Sequence, residues 1–257
     1  MKITRRKFIK TAGMITASAG IIGVGDFISG CSAEDKNLSN ADEKIIPEIA
    51  EKSKVYFTKK IDSEHLIKLY QKINSEITGK VAIKLHSGEP HGPNILPRDM
   101  VQKFQSQIPN STIIEANTAY GGARANTASH RQTLETNGWT FCPVDIIDAE
   151  GDVNFPVKGG FHLEEVAMGS HLTNYDSMIV LTHFKGHTMG GFGGSLKNIA
   201  IGCASGKEGK LQVHGVRKFG SWVTGERLME LMTDSGKAIC DHFGKKIVFL
   251  NVLLRRQ

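Results

Sequence analysis

The sequence predicts an α/β domain, a mostly parallel sheet with helices on both faces, preceded by a signal peptide and a tether. Three observations carry this. Short apolar runs alternate with amphipathic segments from residue 54 onward, the pattern of parallel strands joined by crossover helices. Hydrophobic residues make up 40% of the 257-residue chain and charged residues 23%, which permits a sizeable core and excludes disordered, collagen-like and disulfide-scaffold classes. The net charge of +6 is concentrated in the first thirty residues, where Lys2, Arg5, Arg6, Lys7 and Lys10 face only Asp26. The remainder is close to neutral, so no basic face is available for nucleic acid and no nucleic-acid partner is expected.

Residues 1–31 read as an export signal. Arg5 and Arg6 sit in a basic region ahead of a weakly apolar, Gly/Ala/Ser-rich stretch, the layout of the twin-arginine route. Gly20, Gly23, Gly25 and Asp26 make that stretch a poor permanent span. Ile28-Ser29-Gly30-Cys31 resembles a bacterial lipobox, so Cys31 is expected to be acylated and to hold the protein at a membrane in the cell envelope. Residues 32–52 are polar and read as a tether, and 53–257 as the α/β domain.

Within the domain, 55–57 is predicted as a strand and 63–77 as a helix with Leu66, Ile67, Leu69, Tyr70 and Ile73 on its apolar side. Strands follow at 81–85, 112–116 and 144–147, with helices at 97–104, led by Pro97, and at 127–136. Residues 164–172 are predicted helical, 177–181 a buried strand, 194–201 a helix, 224–243 a long helix and 246–253 a closing strand. In such folds ligands gather at the loops after the carboxyl ends of the strands.

Three of those loops carry the unusual residues. The segment 182–198 holds His183, Lys185, His187, Gly190, Gly191, Gly193, Gly194, Lys197 and Asn198. Its glycines allow close backbone approach to a ligand, its lysines favour an anion, and its histidines suit a metal or a proton transfer. It matches neither common phosphate-binding glycine motif. After the 81–85 strand come His86, Glu89 and His91, a spacing that serves a metal or an acid–base pair. Lys84, placed in a strand that should be buried, needs a partner, and Glu89 and Glu115 are the candidates. After the 112–116 strand, Asn117, Tyr120 and Arg124 suit a carboxylate or phosphate. Asp148 is the best placed polar group after the 144–147 strand. With Cys31 assigned to lipid, Cys142, Cys203 and Cys240 remain, too few and too far apart for a four-thiolate site.

Residues 55–58, 79–89, 117–122 and the 183–198 segment, with its His-Phe-Lys-Gly-His and Gly-Gly-Phe-Gly-Gly-x-Leu-Lys-Asn runs, resemble the family called domain of unknown function 362. The resemblance spans about 53–253 and implies an iron–sulfur association. It also implies a Cys-rich continuation beyond the 246–253 strand, so the domain is expected to be C-terminally incomplete, without those cysteines.

Taken together, an exported, lipid-anchored protein is expected, associated with a metal ion or iron–sulfur cluster, with His86, Glu89, His183 and His187 as metal ligands. The alternatives are a non-catalytic lipoprotein binding a small anion, and an enzyme using His183 or His187 as acid–base in the same crevice. Replacing Arg5 and Arg6 together by Lys should leave precursor in the cytoplasm, because guanidinium and ammonium are not equivalent. Cys31→Ala should abolish fatty-acid labelling. Undiminished export of the first variant, or persistent label on the second, would contradict the assignment.

Overall fold

The computed structural model describes residues 53–254, so Arg5, Arg6, Cys31 and the tether lie outside the described residues. The elements follow in chain order: α1 (Ser63–Tyr70), β1 (Val81–Lys84), α2 (Arg98–Gln105), β2 (Ser111–Glu115), α3 (Thr127–Thr136) and β3 (Val144–Ile146). Next come β4 (Asp152–Pro156), β5 (Glu165–Gly169), a 3-10 turn (Ser170–Asn174) and β6 (Ser177–His183). The chain continues through β7 (Lys185–His187), β8 (Gly191–Gly193), α4 (Ser195–Ala200), α5 (Gly209–Val213), α6 (Val216–Phe219), α7 (Gly225–Phe243) and β9 (Ile247–Val252). Among the described residues, no helix is long and apolar enough to cross a membrane.

The central sheet has the order β3-β2-β1-β6-β9, with every adjacent pair parallel. Val81 is level with Ser111 on one side and Ser177 on the other, which brings the carboxyl ends of β1, β2 and β6 to one edge. Alternation along the strands divides the core in two. Val81, Ile83, Ile113, Ile179, Leu181, Val248 and Leu250 pack with Leu66 and Tyr70 of α1 and with Met100, Val101 and Phe104 of α2. Ala82, Ile114, Met178 and Val180 point the other way, onto Ile199 of α4 and Leu228, Met232 and Ile239 of α7. Helices therefore cover both faces, as a parallel sheet buried on both sides requires.

Three predicted elements differ. The helix predicted over 63–77 ends at Tyr70, where Gln71 caps it, and turns follow. Residues 55–57 form no strand, and Val55 and Phe57 are 68% and 82% exposed, because no strand among the described residues pairs with them. The stretch predicted helical over 164–172 is β5, antiparallel to β4, followed by the 3-10 turn. Val166 and Met168 are fully buried there, and the Ala167 amide donates to the Gln212 side chain at 2.8 Å, so tertiary partners override local helix preference. The β4–β5 connection is held by Asp234 of α7, whose buried carboxylate accepts the backbone N–H groups of Phe161, His162 and Leu163 at 2.7, 2.7 and 2.9 Å.

Gly209 opens α5 flush against β5, where an added Cβ would collide with the Ala167 carbonyl oxygen. Gly209→Ala should cost about 1–3 kcal/mol through this overpacking. A denaturant midpoint unchanged from the parent would contradict the close contact.

Candidate functional site

Lys84 is the last residue of β1 and only 1% exposed, in the register of Ala82 on the α4/α7 face. Glu115 is the last residue of β2, 3% exposed, in the register of Ile113 on the opposite face. They meet over the strand ends, Lys84 Nζ lying 2.8 Å from Glu115 Oε2. The same ammonium donates to the Leu85 carbonyl oxygen and, at 3.1 Å, to Asn198 Oδ1. Glu115 Oε1 accepts from the Ser87 backbone amide at 2.8 Å and the Ser87 hydroxyl at 2.9 Å, with Arg124 Nη1 at 3.7 Å. Burial by itself raises the Glu115 carboxyl, yet the Lys84 and Arg124 charges outweigh it and hold it well below its usual value.

Above this pair opens a cavity of about 410 Å³, a size suited to a small molecule. It is lined by Lys84, His86, Glu89, Tyr120, Arg124, His183, Lys185, His187, Gly193, Gly194, Lys197 and Asn198, all residues anticipated from the sequence. They come from the loops after β1, β2 and β6, which the parallel sheet brings to one edge. Glu115, Thr182, Lys210, His214 and Trp222 also line it. Of these, Lys210 and His214 belong to a helical segment that carries no local motif, and only packing against β5 brings it to the cavity.

Five cationic side chains, Lys84, Arg124, Lys185, Lys197 and Lys210, line the cavity against two carboxylates, Glu89 and Glu115. Arg124 is spent on Glu89, its Nη2 lying 2.6 Å from Oε1, with Tyr120 donating to the same oxygen at 3.3 Å. Lys210 donates to the Ala204 carbonyl oxygen at 2.6 Å, and burial lowers it to about 8. Lys185 and Lys197 have no acidic partner among the described residues. Desolvation, followed by the Lys185, Lys84 and Arg124 charges, lowers Lys197 to about 8, and Lys185 is lowered by desolvation and by Arg124.

Two of the cavity histidines, His86 and His187, are held neutral by their surroundings. His187 is lowered to about 4 by desolvation and then by Lys197 and Lys185. Desolvation also lowers His86 to about 3, although its side chain is 38% exposed and water moderates the depression. His183 Nδ1 is buried without a hydrogen-bond partner.

Several expected roles change. Asn117 does not line the cavity. Its amide side chain donates to Thr127 Oγ1 at 3.1 Å and meets His130 Nδ1 at 3.2 Å, while Asp148 takes its backbone N–H at 2.9 Å, so it braces the loop. Asn198 spends its amide on Thr182 Oγ1 (2.9 Å) and on Lys84, and so positions the buried ammonium. Gly190 and Gly191 lie outside the cavity and form the turn of an antiparallel hairpin between β7 and β8, with Gly191 at φ 72° and the Gly190 amide donating to His187 Nδ1 at 3.1 Å. Gly193 and Gly194 face it, and Gly194 packs under the Phe184 and Phe192 rings.

His86, Glu89, His183 and His187 share the cavity but do not converge as ligands. Among the described residues, no group of three or more His, Cys, Asp or Glu side chains is placed to hold a metal ion. Glu89 is committed to Arg124. Cys203 and Cys240 pack in one core cluster and Cys142 in the other, so they do not fit a shared iron–sulfur site either.

Glu115→Gln should cost about 3–5 kcal/mol by leaving Lys84 buried and unpaired, and adding Lys84→Met should recover part of the loss. Because the folded-state Glu115 value is depressed, its contribution is complete above the usual value of 4.5 and is lost as pH falls below it. The stability gap between parent and Glu115→Gln should therefore be constant above pH 4.5 and close below it in denaturant titrations.

Comparison with known proteins places this geometry in a wider setting. The family described as "Domain of unknown function (DUF362)" matches residues 81–255. No curated protein matches. Matching solved structures include the lactate racemase apoprotein from Thermoanaerobacterium thermosaccharolyticum, at 16% identity and a TM-score of 0.46 over 76% of this chain and 50% of that one. Another is a protein from Thermotoga maritima, at 12% identity and a TM-score of 0.46 over 76% of this chain and 51% of that one. The chain spans about half the length of each of these two.

Proposed function

The chain belongs to the DUF362 family, and from that premise we propose that it binds a small anionic compound, a carboxylate or phosphate, in the cavity over the ends of β1, β2 and β6. The observation that carries the reading is the pair of lysines, Lys185 and Lys197, lining a partly open cavity without acidic partners among the described residues. Crowded cations repel one another in a medium of low polarity, and an anion between them relieves that repulsion. Arg124 and the Lys84–Glu115 pair fix the floor beneath, and Tyr120 and Trp222 are half-exposed aromatic walls. The anion-binding reading is preferred to the metal or redox reading because, among the described residues, Lys185 and Lys197 have no acidic partner and no ligand set converges.

The proposal includes location. Arg5, Arg6 and Cys31 support export by the twin-arginine route and anchoring by acylation, which would set the cavity to work in the cell envelope.

Calorimetric titration of the full chain with oxalate, and separately with inorganic phosphate, tests the reading. Saturable binding of at least one probe is expected. Lys185→Gln and Lys197→Gln should each weaken it about tenfold or more, the worth of one charge-assisted hydrogen bond. Lys197 is cationic below its value of about 8, so affinity should fall as pH rises through that value. Absence of saturable binding to either probe, or binding indifferent to both substitutions, would overturn the proposal.

A further inference from the structure

Among the amines lining the cavity, Lys197 differs from its neighbours in what it touches. Lys84 is bonded to Glu115, Asn198 and the Leu85 carbonyl, and Lys210 to the Ala204 carbonyl, so both are consumed by the fold. Lys185 stands on the two-stranded β7–β8 hairpin. Lys197 rises from α4, beneath that hairpin, whose flanking residues Ile199 and Ala200 are anchored in the core. Gly193 lies between the two free lysines. A Cβ built there falls 3.7 Å from Lys185 Cγ and 3.9 Å from Lys197 Cδ, so both stems pass within van der Waals reach of this glycine. The Lys197 ammonium thus lies in the field of Lys185, Lys84 and Arg124, without a carboxylate of its own among the described residues, and lines the cavity.

We propose that Lys197 is a nucleophile that condenses with the carbonyl of a small 2-oxo acid seated in this cavity. The inference rests on the anion-site reading, because the carboxylate of the 2-oxo acid takes the place assigned there to the anion, beside Lys185 and Arg124. Enclosure and neighbouring cations are the two conditions that make a lysine amine reactive near neutral pH. The neutral amine attacks the carbonyl carbon, forming a C–N bond, and a proton passes from nitrogen to the former carbonyl oxygen. That oxygen then leaves as water with a second proton from nitrogen, giving the imine, so no oxidant or reductant is required. At pH 8 the neutral fraction of an amine with a value near 8 exceeds that of an ordinary surface lysine about a hundredfold, which predicts selectivity over surface lysines, while Lys210 is held by the Ala204 carbonyl oxygen.

The test is reductive trapping on the full chain with pyruvate and sodium cyanoborohydride at pH 8, followed by peptide mapping. One reduced pyruvate per chain is expected, located at Lys197, blocked by saturating oxalate and absent in Lys197→Arg. Lys185→Arg, which keeps the neighbouring charge, should still be labelled at Lys197. If oxalate binds saturably but pyruvate is not trapped, or is trapped evenly over surface lysines, the nucleophile assignment falls and the anion site stands. If oxalate and phosphate both fail to bind and no adduct forms, both fall. Trapping confined to Lys185 would also overturn the assignment.

Discussion

The ion pair between Lys84 and Glu115 is the constraint on which the cavity depends. Two charges almost wholly removed from water are expensive, and their mutual attraction offsets that cost only where further hydrogen bonds complete the arrangement. Here they do. Ser87, the Leu85 carbonyl and Asn198 complete it, so one pair ties the end of β1 to the end of β2, to the loop that follows β1 and to α4. Each of those segments carries a cavity wall. The pair also explains why two charged residues close strands that are otherwise apolar: the alternation that buries Ile83 and Ile113 on one face leaves Lys84 and Glu115 on opposite faces, able to meet only across the strand ends.

The walls above this pair are dominated by positive charge. Glu115 is consumed from below and Glu89 from the side, which leaves Lys185 and Lys197 facing one another's field. His86 and His187 are kept neutral by desolvation first and by the neighbouring cations second. A ligand that brings negative charge meets both groups at once: it lowers the repulsion among the lysines and leaves the imidazoles free to donate or accept. The β7–β8 hairpin makes this arrangement compact. Gly193 lies against the stems of both lysines, and Gly194 against the Phe184 and Phe192 rings.

The parallel sheet was legible because burial on both faces leaves continuous apolar runs such as Met178-Ile179-Val180-Leu181, and the intervening helices carry one-sided patterns. The helix at Thr127–Thr136 was equally plain, opened by Asn126, whose side chain caps the Ser129 amide. The β4–β5 hairpin was not legible. Glu164 to Leu172 has no alternation that separates strand from helix, and its conformation is decided by a partner strand and by Gln212, more than forty positions away. The glycine-rich segment misled in a similar way. Its composition announced close approach, but Gly190 and Gly191 serve a turn, and only Gly193 and Gly194 face the cavity.

By itself the sequence determined the fold class, the family likeness and the short roster of charged and imidazole side chains that stand at strand ends, because periodicity and motif are local properties. The export and acylation proposed for Arg5, Arg6 and Cys31 rest on linear text in the same way. The tertiary structure decided which of those side chains are spent on one another and which remain free. Asn117 and Asn198 turned out to be braces, Glu89 and Glu115 counter-ions, and Lys185 and Lys197 without an acidic partner among the described residues. The reason is physical: a charge's availability depends on the distance to every other charge and on exclusion of water, and both are set by chain segments remote in sequence.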